Sequence, residues 1–288
     1  MIRDPAFAKI LKTGPGSKII DQGRKGMGEF GIPNSGPLDQ QAFQWVNLVL
    51  RNPLNAAVLE ITQPGFAIHF PFPTLICLAG ASANIKLNGV QLLNPSLIEL
   101  PEDSLLEVGA FKQGALLYLG IKQGFQSELS LGSRSFFEGI TPKSQFSKGD
   151  SLLYYTNQEI PNLRAKPVFD RSYLNATHIE VYLGPEWELL PEKIKAEILH
   201  FPLKLSAAKN RMGIQLDSPF ENSVGSIVTV PVYPGTVQLT PSGMLIALLQ
   251  DAQVTGGYPR IFQIAEKDLS RLAQKNVGSQ IQFTPIKS

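Results

Sequence analysis

Short apolar runs, separated by glycine, proline and polar residues, recur along the chain at a spacing of roughly ten residues. Runs of this length between turn signals are typical of β-strands, and their regular spacing is typical of sandwiches and barrels. The runs that predict strands are SKIID, FAIHF, TLICLA, SLIEL, LLEVGAF, ALLYLGI, HIEVYL, SIVTV, TVQLT, MLIALL, IFQIA and QIQFT. The sequence therefore predicts a mostly β fold.

Three segments interrupt this pattern with the signals of helices. One helix is predicted from Leu38 to Leu50, because Pro37 precedes its start and Pro53 lies beyond its end. Two more are predicted over Pro191 to Leu199 and Glu266 to Lys275, where apolar side chains recur among charged ones. We expect no more than these few short helices.

A faint internal repeat divides the chain into two halves. The stretch NPSLIELPEDSLL, which begins at Asn94, aligns with YPGTVQLTPSGML, which begins at Tyr233, when one gap is allowed. We therefore expect two related β-barrel units, an N-terminal domain over residues 1–160 and a C-terminal domain over residues 161–288. Their junction is predicted within the proline-containing segment 156–176.

The bulk composition excludes several classes of function. The 288-residue chain is 43% hydrophobic and carries a net charge of +2 with acidic and basic residues mixed. We therefore expect neither nucleic acid nor a membrane as a partner. A single cysteine, Cys77, cannot form a disulfide within the chain, which fits a reducing compartment. With no secretory signal and no run of the about 20 apolar residues that span a bilayer, we expect a cytoplasmic protein.

The common cofactor motifs are absent or misplaced. Residues 26–31 fit the spacing GxGxxG, but residues 32–37 separate them from the predicted helix, so they do not indicate a dinucleotide site. The chain has no P-loop and no Met-Lys-Met biotinylation site, so another chain or another geometry must supply nucleotide contacts or a biotin carrier. Scattered histidines and the missing GxSxG motif argue against a metal site and a serine triad.

The stretch from Gln250 to Gln274 carries the densest set of chemical groups. Asp251 ends an apolar run and leads into the turn TGGYP, which comprises residues 255–259. Two successive glycines suit a backbone that needs positive φ or a close approach, and Pro259 biases Tyr258 towards an extended conformation. A carboxylate, a hydroxyl, backbone N–H groups and a phenol therefore lie within eight residues.

Blocks along nearly the whole chain resemble the allophanate hydrolase subunit 2 family. In chain order they are GRKGMGEFGIPNSGPLD (23–39), NLVLRNP (47–53), LEIT (59–62), LGSRS (131–135), NRMG (210–213), DAQVTGGYPRI (251–261) and DLSRLAQ (268–274). Val254 stands where the family has threonine, and Gln123 where it has glycine. The family covers the C subunit of 5-oxoprolinase, the antagonist of the sporulation kinase inhibitor, and half of the carboxyltransferase domain of urea carboxylase. The resemblance implies two cyclophilin-like β-barrel units.

Four arginines lie in or beside these blocks next to glycine, serine or proline: Arg24, Arg134, Arg211 and Arg260. Each guanidinium can pin loop carbonyls or pair with a carboxylate of the chain, or it can hold a substrate carboxylate through its bidentate fork. We predict that Arg24 acts in catalysis and that Arg134 and Arg211 bind substrate.

Acids and amides supply the other candidates. Asp39 can cap the predicted helix or bind substrate, and Glu60 in its apolar run needs a partner. Asp251 can accept an N–H from a urea-like or lactam substrate, or act as a base if burial raises its pKa. We predict that Asp251 and Tyr258 act in catalysis with Arg24. The predicted substrate-binding residues are Arg134, Asn47, Asp39, Gln238, Thr255, Gly256, Gly257 and Arg211.

The resemblance implies a component of an amide-hydrolysing complex, with three hypotheses for its role. The first is the C subunit of an ATP-dependent 5-oxoprolinase, which opens 5-oxo-L-proline to glutamate together with the A and B subunits and uses ATP through the complex. The second is a carboxyltransferase half-domain that moves CO₂ from carboxybiotin to urea or a related small amide, and biotin enters only here. The third is a non-enzymatic module that antagonises a kinase inhibitor. In each we expect a partner chain, above all the B subunit of 5-oxoprolinase, which belongs to the allophanate hydrolase subunit 1 family.

Overall fold

The computed structural model describes residues 4–62, 65–93, 96–156, 167–217 and 220–286. Contacts divide the chain into two compact units. The first holds the chain up to Arg24 and from Ser35 to Leu174, and the second holds Lys25–Asn34 and Asn175–Ser288. The predicted boundary between residues 160 and 161 lies outside the described residues, as do Asn94 and Pro95 of the predicted repeat.

The first unit is built on an antiparallel sheet of nine strands. The strands are β1 (Pro5–Lys12), β2 (Lys18–Ile20), β3 (Val58–Ile61), β4 (Phe66–Phe70), β5 (Thr74–Leu87), β6 (Val90–Leu92), β7 (Leu97–Leu100), β8 (Ser104–Ile121) and β9 (Ser151–Tyr155). The main path runs β2-β3-β8-β4-β1-β9, and β5 pairs with β6, β7 and β8. The first and the last strands of this sheet in chain order, β1 and β9, therefore pair with each other.

The long strands β5 and β8 form the centre of this sheet. They pair from Ile76 opposite Ile121 to Leu87 opposite Leu106, with register shifts between them. In β1 and β4 every second residue is buried, as the two-residue period of a strand requires when one face meets the core. Their buried side chains join one apolar cluster, which stabilises the unit by about 25 cal/mol for each Å² of apolar surface removed from water.

Helix α1 (Gln40–Val49) packs on β5 and β8. Its N-cap is Asp39, whose Oδ1 accepts a hydrogen bond from the backbone N–H of Ala42 at 3.0 Å. The helix comes close to β8 because Gly120 has no side chain: a Cβ there would lie 3.0 Å from Cβ of Val46. The predicted helix is confirmed, and so is the interpretation of Asp39 as its cap.

The second unit is built on a closed barrel of seven strands. The unit's strands are β10 (His178–Leu183), β11 (Leu203–Lys209), β12 (Gly213–Leu216), β13 (Val230–Pro231), β14 (Thr236–Leu239), β15 (Leu245–Leu248), β16 (Thr255–Gly256), β17 (Arg260–Ile264) and β18 (Gln280–Pro285). The barrel order is β10-β17-β14-β15-β12-β11-β18, and parallel pairing of β10 with β18 closes it. Strands β13 and β16 form a separate two-stranded sheet.

Two helices flank this barrel, as predicted. They are α2 (Glu192–His200) and α3 (Glu266–Ala273). Helix α3 is tied to β10, because Oδ2 of the buried Asp268 accepts the backbone N–H of Glu180 at 2.6 Å. Inside the unit, the ring of Phe262 packs at a tilt against those of Trp187 and Phe283, with centroids 4.8 and 5.1 Å away.

The prediction of a mostly β fold with barrel units and a few short helices is confirmed. Two strand predictions are wrong in detail. The runs LLEVGAF and ALLYLGI belong to one strand, because register shifts near Gly114 (φ 81°) absorb the polar residues between them. The run SIVTV forms a strand only at Val230.

Candidate functional site

In the first unit, the buried carboxylate of Asp21 organises the loop that carries Arg134. Its Oδ1 accepts the hydroxyls of Ser133 at 2.5 Å and Ser135 at 2.9 Å, and its Oδ2 accepts the backbone N–H of Arg134 at 2.6 Å. The backbone N–H of Gly23 donates to the same carboxylate at 2.9 Å. One acid therefore joins the family block at residues 23–39 to the block at residues 131–135.

Arg24 reinforces the same loop from within the unit. Its side chain is 2% exposed, and its Nη2 donates to the backbone carbonyl of Ser135 at 2.6 Å. This contact matches the alternative in which a guanidinium pins a loop carbonyl. The predicted catalytic role of Arg24 stays a prediction.

Arg134 differs from the other arginines in what surrounds its charge. It is half-buried, and its Nη2 donates to Oε1 of Gln126 at 3.2 Å. Gln126 is itself fixed, because its Nε2 donates to the carbonyls of Gln123 and Gly124 at 3.0 Å each. Within the described part of the chain, no carboxylate lies within ion-pair distance of the guanidinium, and its other N–H groups make no hydrogen bond.

A buried chain of acids and phenols holds the start of α1. The phenol of Tyr118 donates to Oε2 of Glu60 at 2.5 Å and accepts the backbone N–H of Asp39 at 2.8 Å. The phenol of Tyr173 donates to Oδ2 of Asp39 at 2.5 Å. Burial, reinforced by the nearby charges of Glu60 and Asp39, raises the pKa of Tyr118 well above its ordinary value. The phenol therefore stays protonated and acts as a fixed donor.

Asn47 is committed to the loop that follows α1. Its Nδ2 donates to the carbonyl of Ala56 at 2.9 Å, and its Oδ1 accepts from Nδ2 of Asn52 at 3.2 Å. The side chain is fully buried. These contacts stabilise the turn after the helix, and the predicted contacts of Asn47 and Asp39 with a substrate stay predictions.

In the second unit, Asp251 and Arg211 form a bidentate ion pair. Nε and Nη2 of Arg211 donate to the two carboxylate oxygens of Asp251 at 2.8 and 2.9 Å, and both side chains are about nine-tenths buried. The backbone supports the pair, since the N–H of Asp251 donates to the carbonyl of Arg211 at 2.9 Å. The geometry is the planar fork that arginine offers to a carboxylate.

The diglycine turn is explained by a close approach. Neither Gly256 nor Gly257 has positive φ, but a Cβ on Gly256 would lie 2.5 Å from Nε2 of the buried Gln238. That Nε2 lies 3.5 Å from the carbonyl of Tyr258, which accepts its hydrogen bond. Thr255 and Tyr258 are exposed. The turn therefore presents a hydroxyl and a phenol to solvent over a fixed backbone.

Arg260 is occupied in the same way as Arg211. Its Nε and Nη2 donate to Oε2 and Oε1 of Glu186 at 3.0 and 2.9 Å, and its backbone N–H donates to Oε2 at 2.9 Å. The hydrogen bond from the Arg260 side chain is the main reason that the pKa of Glu186 lies below its ordinary value. Glu186 thus fixes the strand that follows the turn.

The predicted residues divide between the two units. Arg24, Asp39, Asn47 and Arg134 belong to the first, and Arg211, Gln238, Asp251, Thr255, Gly256, Gly257 and Tyr258 belong to the second. Sequence reasoning missed Asp21 and Glu186. A usable signal existed for Asp21, because it lies three residues before Arg24 and close to the glycine of that block. None existed for Glu186, which lies 74 residues from its partner.

The family of carboxyltransferase domains, subdomains A and B, matches residues 30–285. The chain belongs to this family. The resemblance identified from the sequence blocks is thereby confirmed. Among the described residues, no helix is long and apolar enough to cross a membrane.

The chain is similar to two kinds of known protein. It is 29% identical over 280 residues to the 5-oxoprolinase C subunit of Escherichia coli (strain K12), covering 96% of this chain and 90% of that protein. It is 27% identical over 309 residues to the urea amidolyase of Saccharomyces cerevisiae, covering 98% of this chain and 17% of that protein. The crystal structure of the K. lactis urea amidolyase superposes with a TM-score of 0.86 at 25% identity, over 100% of this chain and 19% of that one.

Proposed function

We propose that this chain is the C subunit of an ATP-dependent 5-oxoprolinase and that Arg134 holds the carboxylate of 5-oxo-L-proline. One observation carries the second half of this proposal: the half-buried guanidinium of Arg134 has no acid partner within the described chain. A guanidinium in this state can bind a carboxylate through two parallel hydrogen bonds. The other family arginines in the second unit, Arg211 and Arg260, already bind Asp251 and Glu186 in this way.

The relatives support the choice of reaction. Proteins named as the C subunit of 5-oxoprolinase match at 29% and 27% identity, and each is covered over 90% of its length. The urea amidolyases are covered over only 17% of theirs. The match therefore extends over most of each 5-oxoprolinase C subunit and over one region of each urea amidolyase.

The substrate's chemistry fits the residues. 5-Oxo-L-proline offers a carboxylate and a lactam N–H, and its hydrolysis adds water across the C–N bond to give glutamate. The carboxylate is assigned to Arg134, which the fixed amide of Gln126 orients. The catalytic roles of Asp251, Tyr258 and Arg24 stay separate predictions. In this proposal ATP activates the lactam carbonyl through the complex, and another chain or another geometry supplies the nucleotide contacts, since this chain has no P-loop.

Reconstitution with the cognate A and B subunits tests the proposal. With ATP and 5-oxo-L-proline, glutamate should form only when this chain is present. An equal yield in its absence would reject the role. Stable binding of the companions without turnover would favour the non-enzymatic hypothesis.

A carboxyltransferase half-domain is the second candidate, favoured by the description of the family and by the urea amidolyase relatives. Carboxybiotin would then deliver CO₂ to urea or a related small amide, with the biotin held on another chain. Inhibition of the reconstituted reaction by avidin would support this candidate over the lactam hydrolase.

A further inference from the structure

The first unit contains a cavity of about 190 Å³ to which the proposed function assigns no ligand. Its lining comes from residues 126–128, from Phe136 and Phe146, and from residues 141–143 and 150–153. Pockets for drug-sized ligands measure about 300–1,000 Å³, so this one fits only a small molecule. At about 30 Å³ per water molecule, it has the space of about six waters.

The apolar floor of the cavity is fixed by the sheet. The backbone N–H of Phe136 donates to the carbonyl of Ile19 at 3.0 Å, and that of Phe146 donates to the carbonyl of Ser17 at 2.9 Å. The two rings meet edge to face, with centroids 5.2 Å apart. The backbones of both phenylalanines are therefore anchored to β2 or to the residue before it.

A charged pair also lines the cavity. Nζ of Lys143 donates to Oδ1 of Asp150, and their side chains are 50% and 12% exposed. The other oxygen of Asp150 accepts the backbone N–H of Ser147 at 2.9 Å. Partial burial alone raises the pKa of Asp150, but the hydrogen bonds from Lys143 and Ser147 outweigh it, so the pKa is lowered. The exposed Glu128 adds a second negative charge to the lining.

We propose that this cavity binds a small zwitterion of the α-amino acid class. The ligand's carboxylate pairs with Lys143, its ammonium pairs with Asp150 on the side of Glu128, and its side chain packs on Phe136 and Phe146. The charges select this class. An anion alone would draw Lys143 away and leave the mostly buried Asp150 without its cation, which is costly. A zwitterion replaces the internal pair with two new pairs.

The site borders the element that supports Arg134. Gln126 lines the cavity, and its Oε1 accepts the hydrogen bond of the Arg134 guanidinium. An occupant therefore contacts the residue that orients Arg134. The proposed binding does not depend on the 5-oxoprolinase assignment, since it concerns this chain alone.

Isothermal titration calorimetry of the full chain tests the site. The probes are L-alanine, L-glutamine and L-glutamate, with propionate and ethylammonium as matched single-charge controls. We expect saturable binding of at least one amino acid and none of either control. Lys143→Met and Asp150→Asn should each weaken the binding of the amino acid at least tenfold. Lys143→Arg, which keeps the positive charge, should retain most of the wild-type affinity. Lys148→Met, which removes an exposed lysine outside the lining, should leave it unchanged.

Three results would overturn the proposal. The first is no saturable heat with any amino acid. The second is equal binding of propionate or ethylammonium. The third is equal effects of Lys143→Met and Lys148→Met. Circular dichroism shows whether each variant is folded, so that a loss of binding heat can be assigned to the site. Lys143→Arg is a second folded variant with which the binding of Lys143→Met is compared.

Discussion

One buried acid in each unit, Asp21 in the first and Asp251 in the second, is satisfied in an opposite way. In the first unit, the carboxylate of Asp21 accepts hydrogen bonds from backbone N–H groups and serine hydroxyls. In the second, Asp251 and Glu186 are each satisfied by an arginine fork. The difference decides which arginine is available. Because backbone N–H groups and hydroxyls already donate to Asp21, the neighbouring Arg134 does not pair with it. Its guanidinium is available to bind another ligand.

The largest effect should follow from breaking an ion pair of the second unit. Arg211→Ala leaves the carboxylate of Asp251 buried without its cation, so we expect a loss of about 3–5 kcal/mol in the free energy of unfolding. Chemical denaturation measures this loss. The control is Lys193→Ala, which removes an exposed partner of Glu197 at 4.0 Å and should cost less than about 1 kcal/mol. Equal losses in the two variants would show that the Arg211 pair is not structural.

A somewhat smaller loss is expected in the first unit. Asp21→Ala leaves two hydroxyls and two backbone N–H groups without their acceptor. It also removes the unfavourable free energy of burying a charge, which offsets part of this loss. We expect a loss of about 3 kcal/mol in the free energy of unfolding. Ser133→Ala, which removes one of these donors, should cost about 1 kcal/mol. If Asp21→Ala cost no more than Ser133→Ala, the carboxylate would not organise the loop.

The diglycine turn tests how rigidly the second unit holds its exposed groups. Gly256→Ala places a methyl 2.5 Å from Nε2 of Gln238, so the buried amide must shift. We expect a loss of about 2 kcal/mol in the free energy of unfolding, as for other overpacked sites. Gly28→Ala is the matched control, because nothing lies within 4 Å of its added Cβ. If Gly256→Ala left the free energy of unfolding unchanged, the close approach of Gln238 to Gly256 would not constrain the turn.

The smallest effect concerns pH. The pKa of Glu186 is lower in the folded chain than its ordinary value of 4.5. The pair with Arg260 therefore stabilises the fold fully above that value, and the contribution is lost as the pH falls through the folded pKa. The difference in unfolding free energy between the wild type and Glu186→Gln should be constant near neutral pH and shrink as the pH falls below 4.5 and through the lowered pKa of the folded chain. A difference that persists unchanged in acid would contradict the lowered pKa.

Local features of the molecule were predictable from sequence because they depend on neighbours in the chain. Asp39 caps α1 as its position before the helix predicts. Gln123 stands where the family has glycine, and its φ of 73° is a conformation that glycine adopts freely. In the diglycine turn, the sequence left positive φ and close approach open, and the structure selects close approach.

Pairings between distant residues could not be predicted. The family blocks identify Arg211 and Asp251 as candidates, but they do not show that two side chains 40 residues apart neutralise each other. The barrel likewise closes through β10 and β18, from opposite ends of the second unit's sequence. The strand β1 was not predicted, although its residues alternate between exposed and buried. Its sequence was considered only as a possible secretory signal at the N-terminus.

The substrate affinity of the reconstituted complex tests most directly whether Arg134 binds the substrate carboxylate. Hydrogen bonds to charged groups contribute about 1.5–3 kcal/mol, so Arg134→Met should raise KM for 5-oxo-L-proline at least about tenfold. Turnover of 2-pyrrolidinone, which lacks the carboxylate, should not change, and Lys148→Met should behave as the wild type. A KM for 5-oxo-L-proline that Arg134→Met leaves within twofold of the wild-type value would contradict the assignment.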